Sequence, residues 1–213
     1  MKVTFAYDKE KDIWCILHYG KGSRSSQIPT KTYNALIAQY GENPTHQNVA
    51  DFIEKYASEK GIDFSKIIIE NQKEWDRIAD EYQKRAEAVF GISLPEDVTA
   101  YITLNNRYPY NIEGNSFFAP VDHVSIRGVA MHELWHFYTW YKFGVNHEPK
   151  MEKQTYRDIK EALTVLLNTE CKDLMTGGIY DEGYPQHKEL REKILRLWNK
   201  SKNIEKVWEE SIS

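Results

Sequence analysis

Along the chain, apolar positions fall into alternating runs and helical runs, separated by glycine, proline and polar turns. Val3, Phe5 and Tyr7 alternate, and Ile13-Trp14-Cys15-Ile16-Leu17 is rich in strand formers, so residues 2–19 predict two strands around a turn at 8–12. Residues 20–26 form a small-residue loop. Pro29 opens a helix through about Tyr40, and Thr45 caps a second one with Val49, Phe52, Ile53 and Tyr56 on one face and Gly61 at its end. A long helical pattern covers about 65–90, with Trp75, Ile78, Tyr82 and Ala86 near helical spacing and Gly91 closing it. Residues 98–104 predict a buried strand. Residues 116–121 predict a short one, and Pro120 suits it to a sheet edge.

The next helix spans about 126–143, where Ala130, Leu134, Phe137 and Tyr141 make an apolar stripe and Gly144 supplies a stop. After a polar loop over 145–154, Thr155 with Asp158 resembles a capping box. The helix it opens runs to about Leu174, with Ile159, Ala162, Leu163, Leu166 and Leu167 as its core face. A glycine break at 177–178, a loop over 180–185 and two last helices, about 186–198 and 203–210, complete an α+β chain. Residues 1–62 carry no recognisable chemistry and read as an accessory module of a hairpin and two helices. Residues 63–213 read as one further domain.

Hydrophobic residues are 41% and charged residues 28% of the 213, which is enough apolar material for a core. The net charge of −4, with Lys and Arg dispersed, lacks the concentrated basic face that nucleic acid requires. No apolar run approaches a membrane span, and the first residues lack the apolar core of a signal peptide, so a cytoplasmic location is expected. Cys15 and Cys171 exclude a disulfide framework and offer no zinc spacing; Cys15 reads as a buried strand cysteine.

The chemistry concentrates in Met131-His132-Glu133-Leu134-Trp135-His136. Two histidines four apart on a helix share a face, so both imidazoles can reach one ion. The glutamate beside the first can take a proton from water activated there, which is the physical content of H-E-x-x-H: two Zn²⁺ ligands and a general base. The apolar stripe lies nearly opposite the histidines, so core face and metal face are expected to be separate.

A long helix, strands ending in an edge strand, an H-E-x-x-H helix and then a helix bearing Glu161-Ala162-Leu163-Thr164 resemble, over about residues 65–175, the zincin metallopeptidases of the gluzincin branch. That resemblance implies a zincin-like fold with a small mixed sheet. It implies His132, His136 and Glu161 as zinc ligands, Glu133 as base, and an edge strand around 115–119 that pairs with extended peptide. It also implies a downstream Tyr or His that stabilises the oxyanion, for which Tyr180, Tyr184 and His187 stand in a suitable loop. Two positions depart from the family pattern. Lys160 stands where an Asn usually precedes the Glu ligand. Val165 stands where an Asp usually orients the first histidine, leaving Asp122, Asp158 or a backbone carbonyl as substitutes.

Spacing bears on the third ligand as well. With no glycine before Gly144 the histidine helix carries on to Phe143, roughly 10 Å beyond His136, and His147 would have to return in a straight line. Glu161 has a loop long enough to bring its helix alongside. The expected function is a zinc-dependent peptidase acting on peptide or protein substrates. The rivals are a catalytically silent zincin-fold binding protein and a metal-dependent hydrolase of non-peptide amides.

Overall fold

Asp8 does not turn a hairpin; it caps a helix. The computed structural model describes residues 1–22, 27–122, 124–147, 151–176 and 181–212. After strand β1 (Val3–Ala6), the Asp8 side chain accepts from the backbone N–H groups of Glu10 and Lys11 and starts α1 (Lys9–Tyr19). The strand formers at 13–17 yield because helical spacing puts Asp12, Ile13, Cys15 and Ile16 on one buried face. Ile13 and Ile16 pack there with Leu36, Phe52 and Ile53, a tertiary gain that overrides local preference. Cys15 is therefore buried on a helix and not on a strand.

The described residues divide into two compact units. One comprises residues 2–76 and 96–129, the other residues 77–95 and 130–213 with Met1. The first unit holds β1 and α1, then α2 (Lys31–Tyr40), α3 (His46–Lys60), α4 (Phe64–Asp76), β2 (Val98–Thr103), β3 (Tyr110–Asn111) and β4 (Ser116–Pro120). Thr45 caps α3 in a reciprocal box with Asn48, and Gly61 ends it at φ 62°, a left-handed conformation that glycine takes without strain. The sheet order is β1-β2-β4-β3, with β1 and β4 parallel to β2 and β3 antiparallel to β4.

β4 is thus an interior strand, which corrects the expectation of an edge at 115–119. Tyr110 and Asn111 pair with Phe117 and Ser116, and the Phe118 N–H donates to the Pro109 carbonyl at 2.9 Å. Phe117 and Ala119 are fully buried. The Tyr108-Pro109 break in the sequence concealed β3, a strand too short to leave a periodic signal.

The helical pattern over 65–90 is two helices, α4 and α5 (Ala79–Phe90), with a break at Arg77-Ile78. The second unit continues with the residues of α6 (Ile126–Thr139) from Ala130 on, a π-helical turn (Trp140–Gly144) and α7 (Val145–His147). After these come α8 (Lys153–Leu163), a 3₁₀ turn (Thr164–Leu166), α9 (Leu167–Glu170), α10 (Lys188–Ser201) and α11 (Ile204–Ile212). Gly144 does not stop the histidine helix; the chain stays helical through His147.

From Ala130 to Thr139 the helix is not amphipathic. Ala130, Leu134 and Phe137 are buried as expected, but Met131, Trp135 and Tyr138 are equally buried on another side. Phe90 packs its ring edge-on to Trp135 at 4.9 Å and stacks on Tyr138 at 5.5 Å. Polar anchors fix the helix: the Tyr82 hydroxyl donates to the Met131 carbonyl at 3.0 Å, and the Trp135 indole N–H donates to the Leu163 carbonyl at 3.1 Å. The second bond ties the histidine helix to the last turn of α8. Among the described residues no helix is long and apolar enough to cross a membrane.

Candidate metal centre

The one-turn offset on α6 brings the two imidazoles edge to face, with His136 Nε2 3.0 Å from His132 Nε2. From α8, Glu161 places Oε2 3.5 Å from His136 Nε2 and 3.8 Å from His132 Nε2. Among the described residues these three form a cluster able to hold a metal ion. Two donors about 2.0–2.1 Å from one tetrahedral ion lie roughly 3.3–3.4 Å apart. The separations of 3.0, 3.5 and 3.8 Å bracket that value, so the donor set fits a divalent ion in size as well as in chemistry.

The partner that orients His132 is Asp181. Its Oδ2 lies 2.5 Å from His132 Nδ1. An ionised carboxylate only accepts, so Nδ1 carries the proton and the Nε2 lone pair is turned to the centre. The substitutes expected from the sequence are engaged elsewhere. Asp122 accepts from Val124 N–H and Ser125 Oγ–H, and Asp158 pairs with His187 and Gln154. Val165, where the resemblance implies an orienting Asp, is buried and apolar.

Asp181 is itself clamped. The Asn168 side chain brackets its backbone, donating to its carbonyl and accepting from its N–H, both at 2.7 Å. Arg191 donates to the same carbonyl at 2.6 Å and pairs with Oδ1 at 2.8 Å, where the Thr164 hydroxyl also donates. Gly183, at φ 66°, lies so close that a Cβ there would meet the Arg191 guanidinium at 2.5 Å. The sequence held a trace of this clamp. Thr164 and Arg191 are polar positions buried beside apolar ones, and buried polar groups of this kind need partners.

Burial pushes Asp181 up, but the hydrogen bond from His132 and the charges of His132 and Arg191 outweigh it and hold the carboxyl near 2. Burial likewise opposes protonation of His132, yet Asp181, Glu133 and Glu161 raise it to about 9. The field that holds a proton there is the field a divalent cation would feel. Burial and the nearby Lys160 charge lower His136 to about 3, so its ring is neutral, as a ligand must be. Glu161 is half-buried, and although desolvation opposes its ionisation, the two histidines and Lys160 hold its carboxyl well below the usual range. Glu133, adjacent to His132 in the chain and buried, is pushed up to about 8, chiefly by burial.

The other sequence candidates lie apart from these contacts. His187 is buried with Nε2 3.0 Å from Asp158 Oδ1, in the middle of α8, and Tyr184 is half-buried with its ring 5.7 Å from that of His187. Tyr180 and the side chain of His147 lie outside the described residues. The backbone of His147 continues the helical path eleven residues past His136, roughly 16 Å along the axis. Comparison with protein-family models, with curated proteins and with solved structures finds no match to this chain.

Proposed function

We propose that this chain is a zinc-dependent hydrolase of amide bonds, a peptidase of gluzincin type. The observation that carries the reading is the convergence of His132 Nε2, His136 Nε2 and Glu161 Oε2, with the buried Glu133 following His132 on the same helix and interacting with the charges of His132 and Glu161. Two nitrogens and one carboxylate oxygen suit zinc, and a three-residue set leaves a position open for chemistry. A zinc ion held there supplies Lewis acidity to a scissile carbonyl and acidifies water. Glu133 takes the proton as the water oxygen bonds to the carbonyl carbon, and returns it to the nitrogen as the C–N bond breaks. Burial raises the Glu133 carboxyl and so strengthens it as a proton acceptor, while a cation held beside it would favour the ionised form that takes the proton. Asp181 holds the His132 ring through these transfers.

Of the two downstream candidates for oxyanion stabilisation, Tyr184 is the better. The His187 imidazole is buried and committed to Asp158, whereas Tyr184 is only half-buried. The interior position of β4 removes the edge on which an extended peptide was expected to add. That favours, as a second reading, hydrolysis of an amide outside an extended peptide.

The test is a digest of a peptide library and of a panel of small acyl amides by metal-loaded protein, with and without chelator. Chelator-sensitive cleavage is expected, and which substrate set is cut separates the two readings. Loaded protein that cuts neither set would leave a metal-binding protein without turnover.

A further inference from the structure

Lys160 is the anomaly of the centre. It is 6% exposed on the buried face of α8, beside Tyr156, Ile159 and Leu163. Ammonium groups are strongly hydrated and are rarely buried without a partner. Its Nζ lies 2.6 Å from Glu161 Oε1. Adjacent residues leave a helix about 100° apart and do not face each other, so the lysine stem has to curl toward its neighbour to make this contact.

The two oxygens of Glu161 therefore face different partners. Oε1 is taken by the ammonium, while Oε2 is the oxygen turned to both imidazoles. A carboxylate can offer an ion one oxygen or two. An ammonium on Oε1 engages that oxygen in a charge-assisted hydrogen bond and repels a cation from that side. We propose that Lys160 is a positioning residue that restricts Glu161 to a single oxygen toward the metal and so keeps a coordination position free for the reaction. The inference rests on the metal reading of the site and deepens it. It also separates Lys160 from Asp181. Loss of a supporting group weakens metal binding, whereas loss of Lys160 removes a repelling charge and lets Glu161 close on the ion with both oxygens.

The experiment loads the full chain with Co²⁺, whose visible absorption is strong when four-coordinate and weak at higher coordination. It compares wild type with Lys160→Met and Lys160→Gln, using whichever variant keeps the wild-type circular dichroism. The variant is expected to take up one equivalent of Co²⁺ as tightly as wild type or more tightly, with clearly weaker visible bands. Hydrolysis should fall roughly 10–100-fold, the usual effect of removing a hydrogen-bond partner of a metal ligand. A variant with the wild-type spectrum, or one that binds Co²⁺ more weakly with unchanged bands, overturns the assignment alone. Wild-type protein that takes up no Co²⁺ overturns the metal reading and this assignment with it.

Discussion

His132 Nδ1 and Asp181 Oδ2 lie 2.5 Å apart although 49 positions separate them in the chain, and Arg191 reaches both the carboxylate and the carbonyl of that aspartate. The orientation of the first histidine of the candidate metal site thus depends on a loop held from α10. Asp181→Ala should lower zinc affinity roughly 10–100-fold, read by competition with a chromophoric chelator. Arg191→Met should lower it in the same direction by less, because Asn168 still holds the Asp181 backbone. Undiminished affinity in Asp181→Ala would remove the orienting role.

Glu133→Gln should bind zinc stoichiometrically and lose hydrolysis by about 10²–10⁴-fold, the range for a general base. Metal analysis and turnover on the same preparation check it. Full turnover by this variant would sink the mechanism.

Glu161→Ala should abolish stoichiometric zinc binding at micromolar metal, whereas His147→Ala should leave it intact. The reason is position: α8 delivers Glu161 to both imidazoles, while the continuous helical path carries His147 away from them. Titration of both variants decides, and the opposite pattern would place the third ligand elsewhere.

Tyr184→Phe should reduce kcat with little change in KM, the signature of a contact made mainly in the transition state. His187→Phe should instead lower thermal stability, since it leaves Asp158 without a buried partner. Steady-state kinetics together with thermal melts distinguish the two effects. A Tyr184→Phe variant with unchanged kcat would assign that residue to the loop alone.

Asp12 makes folding pH-dependent independently of the candidate metal site. Burial outweighs the hydrogen bonds from Thr103 and Leu104 and raises its carboxyl to about 7. The folded chain then holds a proton that the unfolded chain releases near 3.9, so its stabilising contribution is full below that value and is lost as pH rises through about 7. The loss is at most about 4 kcal/mol, from ~3 pK units at 1.36 kcal/mol each. Asp12→Asn keeps an acceptor for Thr103 and Leu104 and should flatten this part of the profile. Urea midpoints from pH 4.5 to 8 measure it, and parallel profiles for the two proteins would refute it.

The sequence by itself determined what is local. The four-residue offset of His132 and His136 sets their shared face, because helical geometry alone fixes where residues one turn apart point. Thr45, Gly61 and Gly91 marked helix ends through backbone chemistry that acts over a few residues, and the stripe through Ile159, Ala162, Leu163 and Leu166 placed the helix that carries Glu161. Tertiary structure alone decided the rest. Residues 9–19 became a helix because burying Ile13 and Ile16 among α2 and α3 outweighs the strand preference of the same residues. β4 became interior because two residues of β3, too few for any periodic signal, pair along it. Asp181 became the partner of His132 because its loop is gripped by Asn168 on α9 and Arg191 on α10. A periodicity reports which face a residue occupies over one or two turns. Which distant group meets that face is set by the path of the loops and the packing of side chains that share no local pattern.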